Sequence, residues 1–159
     1  MTQIPDDFIT TLVAATEEVF ETMVFKTVSS QPPVDGGVLR PRSDVVGTVA
    51  FVGAHSGIVA FYSTTETARE IAGAMLGMPA AEINGELPDA IGEMTNMIAG
   101  SFRTRMASHG PAWVISVPTV MVGANLDIKY CSDVRRVLCP FTFESVEVYV
   151  ELVLTRGQP

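Results

Sequence analysis

The sequence predicts an α+β domain, with long helices packed on a largely antiparallel β-sheet. Three observations carry this. Pro5 to about Val24 and Leu87 to about Met106 have apolar residues at helical spacing. Val45–Ala54 and Gly57–Ser63 are β-rich runs joined by a short His-Ser-Gly turn, which reads as a hairpin. After Trp113 the chain is a succession of strand-like runs without an intervening helical pattern. Helices and strands are thus grouped rather than strictly alternating, which favours α+β over a parallel α/β design.

In the first helix Phe8, Leu12, Ala15, Val19 and Met23 form the apolar stripe, widened by Ile9, Val13, Phe20 and Val24. The pattern breaks from Phe25 to Ser43, where Gln31-Pro-Pro-Val-Asp-Gly-Gly37 and Arg40-Pro-Arg42 are turn and loop chemistry. A short strand is expected around Phe25–Val28, and Arg40 with Arg42 makes a small basic spot that reads as a solvated loop. After the hairpin, Thr64 or Thr65 caps a helix running to about Leu76, with Glu66 in its first turn and Gly77-Met-Pro79 at its end. Ala80 to Glu86 leads into the central helix, which stops near His109-Gly-Pro111. Strands are expected at Trp113–Val122, Leu126–Tyr130, Arg136–Phe143 and Val146–Thr155, the last alternating so that one face is buried.

Composition narrows the function classes. The chain has 159 residues, of which 47% are apolar, enough for one domain over residues 1–159 with a sizeable core. A net charge of −8 argues against a partner made of nucleic acid and against docking on an anionic membrane. No apolar run approaches the ~20 residues a membrane span requires. The start, Met1-Thr-Gln-Ile-Pro-Asp-Asp, is acidic where a secretory signal is basic, so a cytoplasmic protein is expected. Cys131, Cys139, His55 and His109 show no metal-ligand spacing and no nucleophile-and-acid set, and free structural thiols are the plain reading.

The central helix carries the chemistry. A helix advances about 100° per residue. With Ile91 at zero, Met94, Ile98, Phe102 and Met106 fall within roughly 60° and form a core-facing stripe. Asp89, Glu93, Asn96 and Gly100 fall between roughly 140° and 200°, on the opposite face, with Glu93 and Asn96 as neighbours. Pro88 suits the first turn and Asp89 complements the positive end of the dipole. Gly100 costs the helix about 1 kcal/mol against alanine, and close approach of a partner is one reason to keep it. Met94 and Met106 are core fillers; Met97 is lateral and fits either core or surface. On an outward helix face, Glu and Asn are by themselves ordinary solvated residues.

The run Glu93-Met-Thr-Asn96-Met-Ile-Ala-Gly100, with Asp89 four residues before the glutamate and Pro118 downstream, resembles the active-site signature of the CheC/CheX/FliY phosphatases. The long first helix ending Glu21-Thr-Met-Val-Phe25 and the segment Ser116-Val-Pro118-Thr-Val-Met-Val-Gly123 are also similar, so the resemblance touches most of the chain. A single Glu-x-x-Asn helix favours the CheX type over CheC, which carries two. Pro118 is the loosest match, and a strand-edge or bulge proline explains it equally well.

The resemblance implies a CheC/CheX-like fold and hydrolysis of the phospho-aspartate of a CheY-like response regulator. It implies that Asn96 orients the attacking water and that Glu93 pairs with the receiver's lysine. Asp89, Met97 and Gly100 would meet the partner, and Pro118 would be a motif proline. No cofactor of the chain's own is implied, because the receiver supplies Mg²⁺. The residue types suit this: a carboxamide accepts from water while donating to a phosphoryl oxygen, and phosphoryl transfer depends chiefly on positioning and charge stabilisation. The alternative is a non-catalytic adaptor of the same fold that binds a receiver or another signalling partner. A homodimer formed by pairing an exposed strand across chains is compatible with the family.

Overall fold

The computed structural model describes residues 4–111, 113–131 and 133–156. Helix α1 spans Asp6–Val19 and continues into one π-helical turn, Phe20–Val24. Strands β1 (Ser29–Ser30) and β2 (Val34–Asp35) are short. The hairpin β3 (Val45–Val52) and β4 (Gly57–Ser63) follows, then α2 (Thr65–Leu76) and the central helix α3 (Leu87–Met106). The chain ends with β5 (Val114–Ile115), β6 (Thr119–Val122), β7 (Val134–Phe143) and β8 (Val146–Thr155). The acidic start that argues against a secretory signal includes residues 1–3, which lie outside the described residues. Among the described residues no helix is long and apolar enough to cross a membrane.

All the strands pair antiparallel in one sheet, in the order β1, β7, β8, β4, β3, β5, with β2 also on β7 and β6 also on β3. The helices cover one face. α3 lies on β3, β4 and β6, flanked by α1 and α2. Its stripe Ile91, Met94, Ile98, Phe102 and Met106 is wholly buried, as the helical spacing predicts, against Val45, Val49, Phe51, Phe61 and Val150 of the sheet. At its C-terminal end Phe102 meets Trp113, ring centres 5.5 Å apart, and Trp113 stacks on Phe51 at 4.9 Å. Edge and stacked aromatic pairs of this kind add specificity to apolar burial. They fix the rotation of α3, and therefore the direction of its outer face.

Local chemistry explains the boundaries. The Thr64 hydroxyl accepts the Thr67 N–H and caps α2, and Gly77, at φ 66°, ends it in the left-handed region. Pro88 opens α3 as expected. Three expectations need correction. Phe25–Val28 is not a strand: the π turn closes with the Lys26 N–H on the Phe20 carbonyl, Phe25 turns left-handed at φ 60°, and pairing starts only at Ser29. Leu126–Tyr130 is extended but joins no ladder. Its Leu126 and Ile128 instead pack on Val46, Ala60, Tyr62 and Leu138, on the sheet face that carries no helix. The segment Trp113–Val122 is two strands, because the register against β3 slips by one residue between Ile115–Phe51 and Thr119–Thr48. That slip is a β-bulge.

Candidate functional site

The outer face of α3 is where its periodicity places it. Asp89 and Glu93 are exposed, while Asn96, Met97 and Gly100 are half-buried. Among the described residues the side chains of Glu93 and Asn96 make no hydrogen bond and no ion pair. Their hydrogen-bonding capacity is therefore free for another molecule. Met97 leans on the main core with part of its surface still open. Space is open around Gly100: a Cβ built there would touch nothing within 4 Å. The bare backbone is not forced by this chain's own packing.

Pro118 is brought to the flank of this face. It sits in the bulge between β5 and β6, and its ring lies against α3 at Gly92, where a Cβ would be 3.6 Å from Pro118 Cγ. Gly92 directly precedes Glu93. The bulge is held by Ser116, whose N–H donates to the Ala50 carbonyl at 2.8 Å and whose Oγ accepts the Ala50 N–H at 2.9 Å. A proline beyond it has no N–H to leave unpaired. The bulge reading is thus structurally right, and it also sets Pro118 beside the Glu-x-x-Asn turn.

One part of this face is absent from the sequence reading. A groove of about 470 Å³ runs between α1 and α3 from Met97 and Gly100 toward the C-terminal end of α3. Its rim is tied across by Glu18 of α1, which accepts from Ser101 Oγ at 3.1 Å and pairs with Arg105 at 2.5 Å. The Arg105 guanidinium, helped by Ser101, holds the Glu18 carboxyl below its usual range. The i, i+4 spacing of Ser101 and Arg105 is visible in the sequence, but nothing there says that α1 is the neighbour.

The remaining candidates for chemistry stay apart from this face. His55 lies in the β3–β4 turn, its ring edge-on to Phe8 with centres 5.0 Å apart. Cys131 is exposed and Cys139 is buried. Burial, with the nearby Glu151 charge, pushes the Cys139 thiol up to about 12, so it is an unreactive packing group. Of the described residues, no three His, Cys, Asp or Glu side chains are grouped to hold a metal ion.

Comparison with known proteins supplies a family. The sequence model of the family described as chemotaxis phosphatase CheX matches residues 45–142, which includes the whole of α3 and the bulge. The chain belongs to the CheX family. It is 27% identical over 114 residues to the CheY-P phosphatase CheX of Thermotoga maritima, covering 71% of this chain and 73% of the relative. A CheC-like superfamily protein from Shewanella sp. PV-4 has the same fold, with a TM-score of 0.86 at 26% identity over 97% of this chain and 100% of the other. The CheX-CheY-BeF3-Mg²⁺ complex of Borrelia burgdorferi contains a chain superposing with a TM-score of 0.82, over 94% of this chain and 99% of that one. At 20% identity that likeness speaks to fold alone. The α+β, CheC-like architecture expected from the sequence is therefore the observed one.

Proposed function

We propose that this CheX-family chain hydrolyses the phospho-aspartate of a CheY-like response regulator. The observation that carries the reading is the pair Glu93 and Asn96: adjacent on the outer face of α3, inside the stretch that the family model matches, with no partners among the described residues. The named activity of the Thermotoga relative supports it.

In this reading the active site is composite. The receiver brings the acyl phosphate, Mg²⁺ and a lysine; α3 brings Glu93 and Asn96. Asn96 Oδ1 accepts a hydrogen bond from the attacking water, and its amide N–H₂ donates to a phosphoryl oxygen. The water oxygen bonds to phosphorus as the bond to the aspartyl oxygen breaks, returning the carboxylate to the receiver. The rate gain comes from holding water in line rather than from removing its proton, since a carboxamide is not a base at neutral pH. Glu93 pairs with the receiver's lysine and sets the docked register. Asp89 and Met97 border the contact, and Gly100 lets the receiver backbone come close.

The test is phosphate release from a phosphorylated receiver. Asn96→Ala is expected to lower the accelerated rate by about a hundredfold while leaving binding in place. An undiminished rate removes Asn96 from the mechanism. Glu93→Lys sets like charges together and is expected to raise the receiver concentration needed for half-maximal rate by at least about tenfold. A wild-type chain that binds the receiver without speeding release is the adaptor instead.

A further inference from the structure

The face of the sheet without helices holds a cavity of its own. It measures about 260 Å³ and lies under the loops at residues 36–43 and 126–130. Its floor is polar although it is deep in the fold. Glu151 of β8, only 1% exposed, accepts from Tyr62 Oη at 2.7 Å and from Arg136 Nε at 2.9 Å, and lies 2.9 Å from Arg136 Nη2. Gly36 passes so close above this pair that a Cβ there would collide with a Glu151 oxygen. The walls include Leu39, Ile128 and Leu138.

The latch of Glu151, Arg136 and Tyr62 satisfies itself, and three groups around it are left over. Arg136 Nη1 has no partner among the described residues. The Tyr130 hydroxyl is buried without a well-formed hydrogen bond, beside Tyr62 and within reach of the Glu151 charge, its ring 5.0 Å from the Arg136 guanidinium. At the mouth, Arg40 and Lys129 share the single carboxylate of Asp127, at 3.1 and 3.8 Å. The lining holds three cations, Arg40, Lys129 and Arg136, against two carboxylates, Asp127 and Glu151. In a chain of net charge −8 this is a local positive hollow. Buried donors without acceptors are costly, and Arg and Lys around a concave, partly apolar pocket suit a planar or tetrahedral anion.

We propose that this cavity binds a small anion, a carboxylate or phosphate group on a compact, partly apolar body, held by Arg136 Nη1, Tyr130 Oη and Lys129 Nζ. The site is independent of the α3 face, and its ligand enters from the opposite side of the sheet. Amide chemical shifts of the intact chain are followed while inorganic phosphate or benzoate is added. At least one anion is expected to shift Gly36, Gly37 and residues 126–130 saturably, with α3 unmoved. Phosphate alone assigns phosphate esters; benzoate alone assigns carboxylates. Tyr130→Phe and Lys129→Ala, which leave the Glu151–Arg136 latch in place, are each expected to weaken binding at least about fivefold without lowering the melting temperature. Absence of saturable shifts with either anion, or equal affinity in both variants, makes the cluster a structural latch and overturns the proposal.

Discussion

Asp44 opens β3 almost wholly buried, and three elements converge on it. Its Oδ1 accepts the Asn125 N–H at 2.9 Å, its Oδ2 accepts the Thr65 N–H at 3.3 Å, and Arg42 lies 3.6 Å away. The Asn125 bond, then the Thr65 bond and Arg42, hold its carboxyl below the ordinary value of 3.8 against the opposing effect of burial. A folded-state value below the unfolded one stabilises the fold above the unfolded value, and that stability is lost as pH falls through the folded one. Thermal melts are therefore expected to weaken below about pH 4 partly through Asp44. Asp44→Asn is expected to melt lower at neutral pH and to lose less on acidification; parallel pH profiles for the two chains would contradict this. The sequence hides this residue, because its partners are 21 and 81 positions away. Glu151 is hidden in the same way, as one residue of an alternating strand. Glu93 and Asn96 are legible for the opposite reason: a helix's own period fixes which residues face out, whatever the rest of the chain does.

At the scale of elements, α3 carries both the core stripe and the proposed site. Its buried stripe and aromatic anchor leave little freedom to rotate, so its outer face is a pre-formed surface. Gly100 is the informative position. Since a Cβ there meets nothing within 4 Å, Gly100→Ala is expected to stabilise the fold by about 0.5–1 kcal/mol through helix propensity alone. If the glycine serves close docking, the same change weakens receiver binding. Urea unfolding and a binding titration on the one variant separate these effects, and a variant that gains stability with unchanged affinity removes Gly100 from the interface. Leu126–Tyr130 shows where element reading stops. Its alternation correctly signals a half-buried extended chain, with Leu126, Ile128 and Tyr130 inward. Alternation says nothing about whether the backbone finds a ladder partner, and here the Leu126 N–H on the Ser43 carbonyl and the inward side chains hold the segment without a ladder. The bulge at residues 116–118 is hidden too, since one extra residue in a β-rich run leaves the composition of the run unchanged.

For the whole molecule, the sheet has two edges, and they end differently. The β1–β2 edge is two short pieces separated by Gln31, Pro32 and Pro33, a blunted edge that offers few amides. The β5–β6 edge is broken by Pro118 yet carries apolar side chains in solvent: Val114 is 71% exposed, Val117 82% and Val122 54%. Val52, cross-strand from Val114, is also exposed and enlarges the patch. Exposed valines spread along a sheet edge favour association. A second copy fits, because antiparallel pairing of like edges is self-complementary about a two-fold axis. The anion cavity lies on the sheet face away from α3, whereas Pro118 of this edge flanks the α3 face. Sedimentation velocity across a concentration series is expected to show a monomer–dimer equilibrium, and Val117→Lys to shift it toward monomer without altering the melting temperature. A wild-type chain that stays monomeric at high concentration, with fast-exchanging amides along β5 and β6, makes the valines a tolerated edge and overturns the dimer.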